Sequence, residues 1–77
     1  MKKITNISLS NYRLFLEQMG CEFIRSKGGH EHWQRSDINR PLTLQKHIDP
    51  VPAFIIKQHL RYLDISTQEF LTLIEKL

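Results

Sequence analysis

The sequence predicts an α+β fold in the order α-β-β-β-α-α. A three-stranded antiparallel sheet should carry the helices on one face and leave the other face open. Three observations predict it. Three segments place apolar residues at helical spacing. Two runs of strand-like residues flank a Gly-Gly pair. A third short alternating run then precedes a proline-led helix.

The first helix is read in "SNYRLFLEQMG", with Ser10 as its N-cap. Tyr12, Phe15, Leu16 and Met19 form one apolar stripe, and Gly20 stops the helix because it takes a left-handed conformation without penalty. "CEFIRSKGGHEHWQR" reads as a β-hairpin whose two-residue turn is Gly28-Gly29. "PLTLQ" reads as a third strand, with Pro41 at its start and Leu42 and Leu44 on one face. Pro52 suits the first turn of the second helix, "AFIIKQHLRYL". Its core stripe is Ala53, Ile56, Leu60 and Leu63, and Lys57, Gln58, Arg61 and Asp64 mark its wet side. "STQEFLTLIEKL" opens with the capping-box pair Ser66 and Glu69 and carries Phe70, Leu73, Ile74 and Leu77 on its apolar face.

The bulk numbers bound the function. A chain of 77 residues forms one domain, and one this small is marginal alone. The net charge is +3 with four histidines beside it, a moderate bias toward an anionic partner. Cys21 is the sole cysteine, so no internal disulfide is possible and a reducing cytoplasm is expected. The start "MKKITNISLSNY" is too polar for a signal peptide. No apolar run approaches the roughly 20 residues of a membrane helix.

The hairpin carries the chemistry. A turn at Gly28-Gly29 sets Lys27 opposite His30, Arg25 opposite His32 and Phe23 opposite Gln34. The other face pairs Ser26 with Glu31, Ile24 with Trp33, and Glu22 with Arg35. Ile24 and Trp33 then face the core, and Arg25, Lys27, His30 and His32 share the open face. His30 reads either as an exposed hairpin histidine or as a general acid or base, since imidazoles as a class exchange protons near neutrality. Gly28 and Gly29 let a phosphate approach the backbone, and their N–H groups can bind it. Arg25 and Lys27 offset its charge. RNA brings its own nucleophile, the 2′-hydroxyl, so a ribonuclease needs only proton transfer and charge stabilisation.

The remaining polar residues read more plainly. His32 makes a His-x-His pair with His30, but Cys21, Glu31, His47 and His59 offer no zinc-like spacing with it, so no metal site is expected. His47, in the loop before the second helix, either neighbours the site or is simply solvated; the second reading is preferred. His59 is read as a packed or edge histidine. Trp33 is core in preference to a base-stacking ring. Lys57 and Arg61 are a solvated helix face in preference to a basic binding edge. Cys21 is a small packed residue.

Taken together, "FLEQMGCEFIRSKGGHEHW" resembles the opening of the HicA toxin family, also described as YcfA-like mRNA interferases. The matching features are a helix, Gly20, the pair Phe23 and Ile24, then Arg25, Lys27, Gly28 and a histidine. "LTLQKHIDPVPAFIIKQHLRYLDISTQEFL" is similar to the later part of the family, so the resemblance covers roughly residues 12 to 71. It implies a fold like a double-stranded-RNA-binding domain, α-β-β-β-α, here with an extra C-terminal helix. It implies the cytoplasmic toxin of a type II toxin–antitoxin system that cleaves mRNA and is neutralised by a HicB-type antitoxin. The family's essential histidine maps onto His30. The family hairpin usually has serine between its glycine and its histidine, where this chain has Gly29. The segment "MKKITNISLS" is longer than in minimal members, which offers it as an antitoxin contact.

The expected function is therefore a metal-independent endoribonuclease that needs no cofactor and has no membrane association. His30 is its general acid or base, and Arg25, Lys27, Gly28, Gly29 and His32 hold RNA phosphate. The alternatives are a non-catalytic double-stranded-RNA-binding-like module and a protein-interaction subunit docking an acidic partner.

Overall fold

The computed structural model describes residues 3–77. The elements run α1 (Leu9–Gln18), β1 (Glu22–Lys27), β2 (His30–Gln34), β3 (Leu42–Gln45), α2 (Ala53–Leu63) and α3 (Thr67–Ile74). The strands form one antiparallel sheet in the order β1-β2-β3. Among the described residues the fold is thus α+β, with three helices and an open sheet.

Helix α1 begins two residues earlier than the sequence suggests. Its N-cap is Ser8, not Ser10, and the Ser8 hydroxyl accepts from the Asn11 N–H at 3.2 Å. The Leu9 N–H donates to Asp49 Oδ1 at 3.0 Å, which settles another orphan donor of the first turn. The helix is capped by Met19 and stopped by Gly20, whose φ is +82°. Paired bonds from the Gly20 N–H to the Glu17 carbonyl and from the Cys21 N–H to the Leu16 carbonyl close it, the double closure that a left-handed glycine allows. Asp64 does the same for α2 at φ +58°. Ser66 caps α3, its oxygen accepting from the Glu69 N–H at 3.0 Å.

The core lies between the sheet and the helices. Trp33, Leu42 and Leu44 point inward from the sheet. Tyr12, Phe15 and Leu16 of α1, Ile56, Leu60 and Leu63 of α2, and Phe70 of α3 meet them. The ring of Phe15 stands edge-on to Phe70 with centroids 4.7 Å apart. Leu71 is buried on α3, and Leu77, expected on its apolar face, lies beyond the helix end and is 41% exposed. Lys57, Gln58, Arg61 and Asp64 are exposed, as the helical spacing of α2 predicts.

Among the described residues, two polar side chains, Glu31 and His59, are buried with their partners. Glu31 receives Arg13 Nε at 3.2 Å and Trp33 Nε1 at 3.1 Å. Burial pushes the Glu31 carboxyl up, but the hydrogen bonds from Arg13 and Trp33 and the charges of Arg13 and Lys46 outweigh it, so its pKa falls below the ordinary value. His59 lies 2.7 Å from the Tyr12 hydroxyl through Nδ1 and also bonds the Thr43 main chain. Cys21 is buried and its thiol pushed up, first by desolvation, which agrees with a packed residue.

The segment before α1 is part of the body. Ile4 and Ile7 are buried, and the Ile7 carbonyl accepts from the Val51 N–H at 2.9 Å. Its apolar side chains therefore pack into the core. Met1 and Lys2, which the expected antitoxin contact includes, lie outside the described residues.

Candidate functional site

The hairpin turn is the one the Gly-Gly pair predicts. Gly28 and Gly29 have φ of +57° and +82°, the doubly left-handed geometry of a tight hairpin turn. Beside the turn the register agrees with the sequence reading: Lys27 pairs with His30, Ser26 with Glu31 and Arg25 with His32.

Further from the turn the register slips. The shift falls between Phe23 and Arg25, so Phe23 pairs with Trp33 and Glu22 with Gln34. Ile24 is the extra residue of a β-bulge. The expected pairs Ile24–Trp33, Phe23–Gln34 and Glu22–Arg35 are therefore corrected. Trp33 is buried as expected, whereas Ile24 is 50% exposed and not core. Phe23, also half exposed, packs edge-on against Trp33 at 5.7 Å.

The third strand completes two rungs across the open face. His30 pairs with Lys27 on one side and Gln45 on the other; His32 pairs with Arg25 and with Thr43. Directly opposed side chains lie about 5 Å apart, and the two rungs about 7 Å. Glu31, Trp33, Leu42 and Leu44 alternate with them and point inward. The sheet thus sets Arg25, Lys27, His30 and His32 together on the face away from the helices, and Gly28 and Gly29 adjoin them at the turn.

The charges on this face are uncommitted. Arg13 is held by Glu31, and Arg35 by Asp37. Among the described residues, neither Arg25 nor Lys27 takes part in an ion pair. An anion arriving here would meet cations with no carboxylate to displace.

His47 is the residue that sequence reasoning placed least well. The Lys46 N–H donates to the Gly29 carbonyl at 2.8 Å, which ties the loop after β3 to the turn. The His47 ring lies over Gly29: a Cβ on that glycine would stand 3.6 Å from His47 Cδ2 and 3.8 Å from Nε2. His47 is exposed and also neighbours the site, so the preference for a merely solvated residue is corrected. An open hollow of about 210 Å³ adjoins them, lined by Gly28, Gly29, His30, Gln45, His47 and Ile48.

A second hollow of about 250 Å³ lies at the far end of the hairpin, lined by Gly20, Glu22, Ile24, Gln34, Arg35 and Ser36. It holds none of the expected site residues. Its arginine is already bound to Asp37 and to the Met19 carbonyl at 2.8 Å. Among the described residues no group of three or more His, Cys, Asp or Glu could hold a metal ion, and no helix is long and apolar enough to cross a membrane.

Comparison of the chain with family models, with curated proteins and with solved structures returned no significant match. The functional reading therefore rests on the site.

Proposed function

We propose that this protein is a HicA-type endoribonuclease toxin that cleaves mRNA in the cytoplasm and is neutralised by a HicB-type antitoxin. The observation that carries the reading is the rung Lys27–His30–Gln45 beside the diglycine turn, with the rung Arg25–His32–Thr43 next to it. A proton-transfer group, unpaired cations and an open backbone turn meet at one point. RNA phosphodiester cleavage asks for those three things when the 2′-hydroxyl is the nucleophile. The chemistry needs no metal and no organic cofactor.

In this reading a phosphate sits at the turn, its charge offset by Lys27 and Arg25 and its oxygens bound by main-chain N–H groups of Gly28 and Gly29. His32 contacts the next part of the backbone. His30 moves a proton to or from the sugar oxygens flanking the phosphorus. Positioned proton transfer contributes about 10²–10⁴-fold, enough for a toxin that makes few cuts. The order α-β-β-β-α with the sheet backed by helices supports an architecture like a double-stranded-RNA-binding domain, with α3 added.

The test is induced expression of wild type and His30→Ala in one host, following growth and RNA integrity. His30 is exposed, so the substitution should leave the fold intact. Arrest with RNA fragmentation in wild type alone is the expected result; a toxic His30→Ala would sink the assignment. The same exposed cations favour one other reading, a non-catalytic RNA-binding module. It predicts salt-sensitive binding that is lost on changing Lys27 or Arg25 and indifferent to His30→Ala.

A further inference from the structure

RNA cleavage by its own 2′-hydroxyl moves two protons. The 2′-oxygen loses one as it attacks phosphorus, and the 5′-oxygen gains one as it leaves. In an in-line displacement these oxygens lie on opposite sides of the phosphorus. One imidazole fixed on a strand reaches one of them. A second group on the other side of the phosphate is needed for full proton transfer.

His47 is the other imidazole that lines the hollow beside His30. It reaches the turn from the loop after β3, while His30 reaches it from β2. Gly29, next to His30 in the chain, is where the His47 ring meets the turn: a Cβ placed on Gly29 would be in van der Waals contact with His47 Cδ2 at 3.6 Å. The bond from the Lys46 N–H to the Gly29 carbonyl couples the loop to the turn, so the two histidines are set by one piece of backbone. Both line the same open hollow, whose floor includes Ile48, 42% exposed and able to meet the apolar face of a sugar or base.

We propose that His47 is the second proton-transfer group of the site, the partner of His30 across the diglycine turn; the proposal rests on the nuclease reading. The O2′–P bond forms and the P–O5′ bond breaks. One histidine takes the 2′-hydroxyl proton, and the other, protonated at the start, gives its proton to the 5′-oxygen. The products are a 2′,3′-cyclic phosphate and a 5′-hydroxyl end, with no net gain or loss of protons and no water consumed.

The experiment compares wild type, His30→Ala, His47→Ala and His47→Gln on two substrates. One is a ribo-oligonucleotide. The other is a nucleoside 3′-phosphodiester of p-nitrophenol, whose leaving group needs no proton. Thermal unfolding within a few degrees of wild type checks that the exposed substitutions keep the fold. Both His47 variants should lose about 10²-fold in kcat on the oligonucleotide with KM little changed. On the nitrophenyl ester, the variant lacking the acid should recover and the variant lacking the base should not. His47 variants that cleave the oligonucleotide like wild type would overturn the proposal and leave the nuclease reading standing. Equal losses on both esters for both histidines would make His47 a positioning residue and overturn it too. A wild type that cleaves neither substrate removes the nuclease reading and the proton-transfer role with it. Inorganic phosphate titrated against the imidazole NMR signals then decides whether an anion is shared. A joint response of His30 and His47 keeps the two-histidine anion site, and a response of His30 alone removes it.

Discussion

The hydrogen bond between Tyr12 and His59 joins three elements through one imidazole. Tyr12 is on α1, His59 on α2, and the Thr43 main chain on β3. The bond to Thr43 favours the protonated ring, so a carbonyl accepts it; the neutral ring then accepts the Tyr12 hydroxyl at Nδ1. Burial outweighs the Thr43 bond and lowers the His59 pKa from 6.5 to about 4. Between those values the unfolded chain holds a proton that the folded chain refuses. The contribution of His59 is therefore complete above pH 6.5, falls as pH drops toward 4, and levels off below it. The loss is about 3 kcal/mol, which urea unfolding across that range should read as a falling midpoint. A His59→Gln variant should be less stable near neutrality and show less of this decline. Sequence placed His59 on the flank of the α2 stripe and so read it as packed. Its partners were not legible, because they come from segments 16 and 47 positions away.

At the scale of elements, the hairpin shows what a turn fixes and how far its influence reaches. Gly28 and Gly29 both adopt positive φ, and the three pairs next to them follow from that. A methyl placed on Gly28 would meet nothing within 4 Å. Gly28→Ala should therefore cost only the left-handed backbone penalty, about 1 kcal/mol by urea denaturation. A much larger loss would mean that the turn does more than reverse the chain. The bulge at Ile24 was not legible, because Phe23 and Ile24 are both large and apolar and either could pair with Trp33. Alternation alone cannot choose between them. The place of His47 was legible in principle. An antiparallel β3 must finish beside the start of β2, so the residues after Gln45 return to the turn. What the strand pattern lacks is the Lys46–Gly29 bond, which holds the loop there.

The whole molecule depends on a small number of rings. Phe70 is fully buried, edge-on to Phe15 and 6.0 Å from the ring of Tyr12. It fastens α3 to α1. Phe70→Ala should cost about 3–5 kcal/mol. A domain of this length has about 4–12 kcal/mol in total. The variant should therefore lose a quarter or more of its stability margin, with a large fall in Tm and weaker near-UV circular dichroism. A shift of only a few degrees would mean that α3 contributes little. Helix order and the buried faces of α1 and α2 were readable from periodicity, since each stripe repeats over two or more turns. The segment before α1 was not, for its Ile4 and Ile7 are too few to set a period.

That segment reaches the proposed chemistry by an indirect route. The loop from Lys46 to Val51 is pinned at one end by the Gly29 carbonyl and at the other by the Ile7 carbonyl. It behaves like a plank resting on two trestles, one of them built from residues nearly at the start of the chain. A tag or substitution that disturbs Ile7 would tilt His47 without touching the hairpin. In a mutational scan such a position would score among the active-site residues, and the cause would be carpentry, not catalysis.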